Sequence, residues 1–189
     1  MRPKNMHLTK AFKVQDDELY TLYKDIETEM NVYLDYNPNV FRDKVILLPC
    51  DDPTKSNFTK YFINNFNKLG LKKLISTGFA KDGTAHYVTG FEGLFGDPDN
   101  PDFLEKSKGK CLILNRGDPD NVTPWEYLEG DGDFRSPEIT KLRDQSDIII
   151  TNPPFSLFRE FMTWVVKGGW TSSICRYRTF TCLRLSRHF

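Results

Sequence analysis

The sequence predicts an α/β fold, and three observations carry that prediction. Residues 44–77 read as strand, turn, helix and strand, the repeating unit of doubly wound sheets. Residues 147–151 hold three consecutive isoleucines between polar neighbours, the pattern of a strand buried on both faces. A proline-rich turn and an amphipathic helix follow that strand at once.

Taken in order, residues 16–34 form the first predicted helix. Leu19, Leu22, Tyr23, Ile26, Met30 and Tyr33 recur there at three- and four-residue spacing, with charges between them. Asn37-Pro38-Asn39 then marks a turn. The apolar run Lys44–Pro49 is a strand, closed by the polar turn Cys50-Asp51-Asp52-Pro53. A helix is predicted over 56–69, with Phe58, Phe62, Phe66 and Leu69 on one face and Gly70 as its C-terminal cap. Leu71–Thr77 supplies the second strand.

Between Gly78 and Asn121 the pattern loosens. Gly-Asp-Pro-Asp-Asn occurs twice, at 96–100 and 117–121, and both copies read as Asp-Pro turns. Neither has the acidic spacing and distant glutamate of a calcium loop. Cys111–Leu114 is a strand inside this region, and Trp125–Leu128 is another. Ser136-Pro137-Glu138 starts a helix over 137–145, with a capping hydroxyl, a proline at the first position and an acid near the positive end. The helix after the isoleucine strand carries Phe158, Phe161, Met162 and Val165.

Beyond Glu160 no acidic residue occurs, while Arg176, Arg178, Arg184 and Arg187 accumulate. Residues 170–189 show neither helical nor strand periodicity of useful length. They read either as a basic DNA-contacting tail or as an anomalous terminus that does not join the fold, and the second is the expectation. The chain therefore divides into an N-terminal segment, 1–40, a partial α/β domain, 41–169, and this tail.

Composition limits the function classes. The 189 residues suit one domain, and 26 basic residues balance 26 acidic ones, so net charge does not single out a nucleic-acid partner. No apolar run reaches the roughly 20 residues of a membrane helix, and Met1–Lys10 lacks the apolar core of a secretory signal. The expectation is a cytoplasmic protein with no membrane partner. Cys50, Cys111, Cys175 and Cys182 form no C-x-x-C pair and read as reduced thiols. His7, His86 and His188 lack ligand spacing, so no metal is expected.

The chemistry concentrates in Asn152-Pro153-Pro154-Phe155. Two prolines fix φ and remove two backbone donors, leaving carbonyl acceptors at the end of a buried strand. The Asn152 side chain adds an acceptor, and an aromatic ring beside these can stack on a planar base. Ligands of open α/β sheets bind outside the carboxyl ends of strands, where this turn is expected. Such a set suits a flat substrate with an amino group bearing two hydrogens; a plain stiff turn is the alternative.

The signature is that of amino-group methyltransferases. With residues 147–161 and the preceding stretch 127–136, the chain resembles the EcoRI-type adenine-specific DNA methyltransferase family over roughly residues 16–169. The resemblance implies a Rossmann-like, S-adenosylmethionine-dependent methyltransferase fold, truncated after the strand that precedes Asn152 and the helix that follows. It implies site-specific methylation of adenine N6 in double-stranded DNA, in a restriction–modification or DNA-protection setting. Asn152 and the Pro153 carbonyl would accept hydrogen bonds from N6, Pro154 would complete the turn, and Phe155 would stack on an extruded adenine. Attack on the sulfonium methyl is an in-line displacement that needs no covalent enzyme intermediate.

For the cofactor, the resemblance implies Asp133, with Asp131 as the alternative, and its neighbour Phe134 at the adenine. Pro49, Cys50, Asp51 and Asp52 would form the loop facing the methionine part, although the family class usually has a glycine-rich turn there. Tyr20 and Thr21 would close over the cofactor, with Leu19 standing where the family motif has phenylalanine. No acid follows the strand ending at Thr77, so the ribose contact is unassigned. Strands expected beyond Gly169 would have to come from elsewhere, including a second chain. Two other functions stay open: methylation of protein glutamine or RNA, and a cofactor- or DNA-binding remnant without turnover.

Overall fold

The computed structural model describes residues 22–80, 108–118, 125–176 and 181–187, with backbone alone for residues 155, 170–176 and 181–187. Helix α1 spans Tyr23–Tyr36, β1 Val45–Leu48, α2 Asn57–Asn64, α3 Phe66–Leu69, β2 Lys73–Gly78 and β3 Lys110–Asn115. Then come β4 at Trp125–Tyr127, α4 at Pro137–Asp144, β5 at Ile148–Thr151, a 3-10 turn at Phe155–Leu157 and α5 at Phe158–Lys167. Strands β6, Trp170–Arg176, and β7, Thr181–Arg187, follow. Among the described residues seven strands form one sheet, ordered β4-β3-β2-β1-β5-β7-β6.

The centre of this sheet is the strand–helix–strand unit read from residues 44–77. β1 lies parallel to both β2 and β5, and all four of its residues are buried. Because side chains alternate along a strand, β1 feeds two cores. Ile46 and Leu48 join Leu74, Ile148 and Ile150 in a core shared with α1, α2 and α3. Val45 and Leu47 join Ile75 and Ile149 in a second core with Ile139 of α4 and Phe161, Trp164 and Val165 of α5. Helices therefore cover both faces.

Local chemistry sets the helix ends. Ser56 and Ser136 cap α2 and α4 by accepting hydrogen bonds from backbone N–H groups, and Pro137 takes the first turn of α4. Gly70 ends α3 with φ +66°, the left-handed cap that glycine supplies without a Cβ penalty. Arg143 joins α4 to α5: buried, it donates to the Trp164 carbonyl at 2.5 Å and lies 4.9 Å from the centre of the Trp164 ring. Phe134, Phe161 and Trp164 pack as an aromatic trio with centroids 5.2–5.6 Å apart.

Four features differ from the sequence reading. Leu22 is extended and exposed, so α1 starts at Tyr23 and runs to Tyr36; residues 16–21 of the expected helix lie outside the described residues. The helix expected over 56–69 breaks at Asn65, whose side chain donates to the Tyr61 carbonyl while its backbone leaves the helical region. β3 runs antiparallel to β2, and β4 antiparallel to β3, so the sheet is mixed instead of doubly wound throughout.

The fourth difference is the largest. The segment 170–189, set apart from the fold in the sequence reading, supplies β6 and β7, with β7 antiparallel to β5 from Thr151↔Leu183 to Ile148↔Ser186. The sheet therefore does not stop after α5. A physical reason is that β5 is buried, and its backbone groups on the side away from β1 need partners that water cannot provide. The two Gly-Asp-Pro-Asp-Asn copies lie outside the described residues, apart from Gly117 and Asp118. Among the described residues no helix is long and apolar enough to cross a membrane.

The aromatic trio gives a direct stability test. Phe161 is fully buried, so Phe161→Ala should lower the unfolding free energy by about 3–5 kcal/mol. Tyr36, 93% exposed, should tolerate alanine within about 0.5 kcal/mol. Urea denaturation of both variants against the parent chain measures the contrast.

Candidate active site

Because β1, β2 and β5 are parallel, their carboxyl ends lie along one edge of the sheet. The loops leaving that edge begin at Pro49, Phe79 and Asn152. In open α/β sheets this is the edge outside which ligands bind.

The loop after β1 is built around Asp51. Its side chain is buried and accepts one hydroxyl on each oxygen: Ser56 Oγ at 2.7 Å on Oδ1 and Thr151 Oγ1 at 2.8 Å on Oδ2. Its backbone N–H donates to the Thr77 carbonyl at 3.0 Å, and its carbonyl accepts Ser76 Oγ at 2.6 Å. Thr59 Oγ1 lies 2.7 Å from the same Ser76 hydroxyl, and Thr77 Oγ1 donates to the Pro49 carbonyl at 3.2 Å. Burial pushes the Asp51 carboxyl up to about 6, against the lowering effect of the Ser56 and Thr151 hydroxyls. Burial, helped by the Asp51 charge, also drives the Cys50 thiol well above its ordinary range, so Cys50 is a neutral thiol in this loop. Asp52 folds back on the chain, its Oδ1 accepting from the backbone and hydroxyl of Thr54 at 2.7 and 2.6 Å. The glycine-free loop is thus held by its own acids and hydroxyls.

The loop 130–134 reaches the same edge by backbone contacts. Ala80 N–H donates to the Asp131 carbonyl at 2.8 Å, and Gly109 N–H donates to the Gly130 carbonyl at 2.9 Å. Gly78, Gly109 and Gly132 meet here: a Cβ on Gly109 would lie 2.6 Å from Gly132 Cα, and one on Gly78 would lie 2.7 Å from Asp52 Cα. Gly132 also has φ +80°, so this contact requires glycine on two grounds. Asp133 sits on the loop with its side chain 21% exposed, clasped by Arg135 through Nε at 2.9 Å and Nη2 at 2.5 Å. Burial opposes its ionisation, but the Arg135 hydrogen bonds and charge win and hold the carboxyl below its ordinary value. Asp131 Oδ1 accepts from the Asp133 backbone N–H at 3.0 Å. Phe134 is buried against Phe161 and Trp164; it anchors the loop in the core instead of facing that edge.

Directly after Thr151, the turn begins with half-buried Asn152, buried Pro153 and half-buried Pro154. The Pro154 carbonyl accepts from Leu157 N–H at 3.0 Å, closing the 3-10 turn that leads into α5. The Phe155 side chain, like Tyr20 and Thr21, lies outside the described part.

The structure therefore brings together the β1 loop, Asp133 and the Asn152 turn. It separates their roles: Asp51 and Phe134 face inward, whereas Asp133 keeps an exposed edge. Sequence reasoning missed Ser56, Thr59, Ser76 and Thr151. The available signal was that the apolar runs of β2 and β5 give way to hydroxyl residues, Ser76-Thr77 and Thr151, toward their carboxyl ends. It also missed Arg135, two residues beyond Asp133.

Asp51 gives a pH test. The folded chain holds a proton on Asp51 up to about pH 6, whereas the ordinary carboxyl releases it near 3.8. Between those values the native state binds more protons, so this group makes stability fall as pH rises from about 4 to about 6. In Asp51→Asn that fall should disappear, changing the difference in unfolding free energy between pH 4 and pH 7 by about 2 kcal/mol. Urea unfolding at the two pH values reads it, and an unchanged pH profile would count against this burial.

Comparison with known proteins adds an independent line. A family model described as adenine-specific methyltransferase EcoRI matches residues 7–171. The Type II methyltransferase M.EcoRI of Escherichia coli is 42% identical over 165 residues, covering 86% of this chain and 46% of that protein. The Type II methyltransferase M.MpnI of Mycoplasma pneumoniae is 35% identical over 163 residues, covering 86% of this chain and 41% of its own length. A third, M.MgeORF184P of Mycoplasma genitalium, is 33% identical over 161 residues. The chain spans less than half the length of each of these relatives. No solved structure matches it. The match to the family model over most of the chain, and the identity to these relatives, lead to one conclusion: this chain belongs to the EcoRI adenine-specific methyltransferase family.

Proposed function

We propose that the chain carries the cofactor- and target-binding core of a DNA adenine-N6 methyltransferase of restriction–modification type, using S-adenosylmethionine and acting on double-stranded DNA. The observation that carries the reading is the adjacency of β1 and β5. These neighbouring parallel strands end together, so the Pro49–Asp52 loop and the Asn152 turn leave the sheet side by side, joined by the Asp51–Thr151 hydrogen bond. The residues present fit a nucleoside-bearing sulfonium: Asp133 offers an ionised, partly exposed acceptor for an exocyclic amine.

S-adenosylmethionine supplies an electrophilic methyl group. The chain supplies position and polarity. Asn152 and the Pro153 carbonyl accept the two N–H bonds of the target amine, which favours a pyramidal nitrogen and returns its lone pair for in-line attack. Pro153 and Pro154 hold that turn at fixed φ, and Phe155 stacks on the extruded base. Asp133 would receive the amino group of the cofactor's adenine, sharing its lone pairs with Arg135. Pro49, Cys50 and Asp52 would flank the methionine part, and Tyr20 and Thr21 would close over it.

Asn152→Ala tests the division of labour. Cofactor affinity, measured by calorimetric titration of the 189-residue chain, should stay within about threefold, while methyl transfer to DNA falls by on the order of 100-fold. Radiolabelled methyl transfer offered to DNA, RNA and glutamine peptides in parallel reads the substrate class. Transfer to RNA or peptide with none to DNA would overturn the proposal.

A further inference from the structure

Asp51 is an expensive residue to keep where it is. The residue is 5% exposed, and among the described residues its side-chain hydrogen bonds come from the neutral hydroxyls of Ser56 and Thr151. A buried carboxylate without a cation costs stability, and a neutral isostere would cost less. Direct contact with a ligand does not explain it, because the residue is almost wholly buried and its two oxygens point at Ser56 and Thr151 within the fold.

What Asp51 does is join elements. Its backbone binds β2 through Thr77 and Ser76, one carboxylate oxygen binds the cap of α2 through Ser56, and the other binds the last residue of β5. That last residue, Thr151, immediately precedes Asn152. Each β1–β5 backbone pair fixes the strands, but the described register ends at Leu47↔Ile149, before either loop begins. The Asp51–Thr151 bond is the side-chain link that continues the pairing past the end of that ladder.

We propose that Asp51 is a positioning residue, which with Thr151 forms a strut holding the Asn152-Pro153-Pro154-Phe155 turn in register with the β1 loop for methyl transfer between their two ligands. This rests on the function proposed above. A carboxylate suits such a strut because hydrogen bonds to it are stronger and shorter than neutral ones, so two hydroxyls on opposite oxygens are held with little play.

Three variants of the full chain test it: Asp51→Asn, Thr151→Val, which removes the hydroxyl at similar volume, and Thr151→Ser, which keeps it. Asp51→Asn and Thr151→Val should leave S-adenosylmethionine affinity and KM within about threefold while lowering kcat for DNA methylation about tenfold or more. Thr151→Ser should stay within about twofold of the parent, and the Asp51→Asn/Thr151→Val double variant should be no worse than the poorer single. Hydrogen–deuterium exchange supplies a readout independent of activity. Asp51→Asn should speed exchange at Thr151, Asn152 and Phe155–Leu157, Thr151→Val should speed it at Cys50–Ser56, and Thr151→Ser should do neither.

A tenfold loss of cofactor affinity in Asp51→Asn with kcat preserved would make Asp51 a ligand and overturn the proposal. So would unchanged exchange across the two loops, or a Thr151→Val variant with parental kcat. If the parent chain neither binds cofactor nor transfers methyl, the functional reading falls, and the catalytic part of this proposal falls with it. The exchange result would still decide whether the strut exists.

Discussion

Every backbone polar group of β1 has to be satisfied inside the sheet, because the strand is buried on both faces and on both edges. That constraint determines much else. β2 and β5 must flank β1, helices must cover both faces, and the three parallel strands must finish on the same side. Once they do, the chain has three loops along one edge and a floor of strand ends beneath them. The placing of those three loops is a by-product of closing the hydrogen bonds of four residues.

What the sequence made legible was whatever a short stretch determines alone. Val45–Leu48 and Ile148–Thr151 are apolar enough to be read as buried strands, and Ser136-Pro137 and Gly70 mark helix ends by local chemistry. The Asn152 turn was legible for the same reason, since two prolines after a buried strand constrain the backbone without outside help. Features that depend on distant partners were not. The antiparallel direction of β3 depends on where the chain returns after residues 81–107. The joining of Thr181–Arg187 to β5 depends on an open strand edge far away in sequence, although Leu183 and Leu185 do alternate with polar residues.

The site divides along the same line. Asp133 could be read as an acid after a strand, but its pairing with Arg135 and the inward burial of Phe134 needed the core to be in place. Asp51 looked like one of four loop residues facing a ligand. Only the approach of Thr151, a hundred positions later, turns its carboxylate into part of the frame. Residue type announces capacity for chemistry, and tertiary contacts decide which atoms remain available for it.

The junction of Gly78, Gly109 and Gly132 has a thermodynamic side. Where side chains join two loops, they lose rotamer freedom as the contact forms, at a cost of up to about 2 kcal/mol for each one immobilised. At this junction main chain rests on main chain, with Gly109 Cα beneath Gly132 and the Asp131 carbonyl bonded to Ala80. Those atoms have no χ angles to freeze. The loop that carries Asp133 is therefore seated by a contact whose ordering is complete once the backbone has folded.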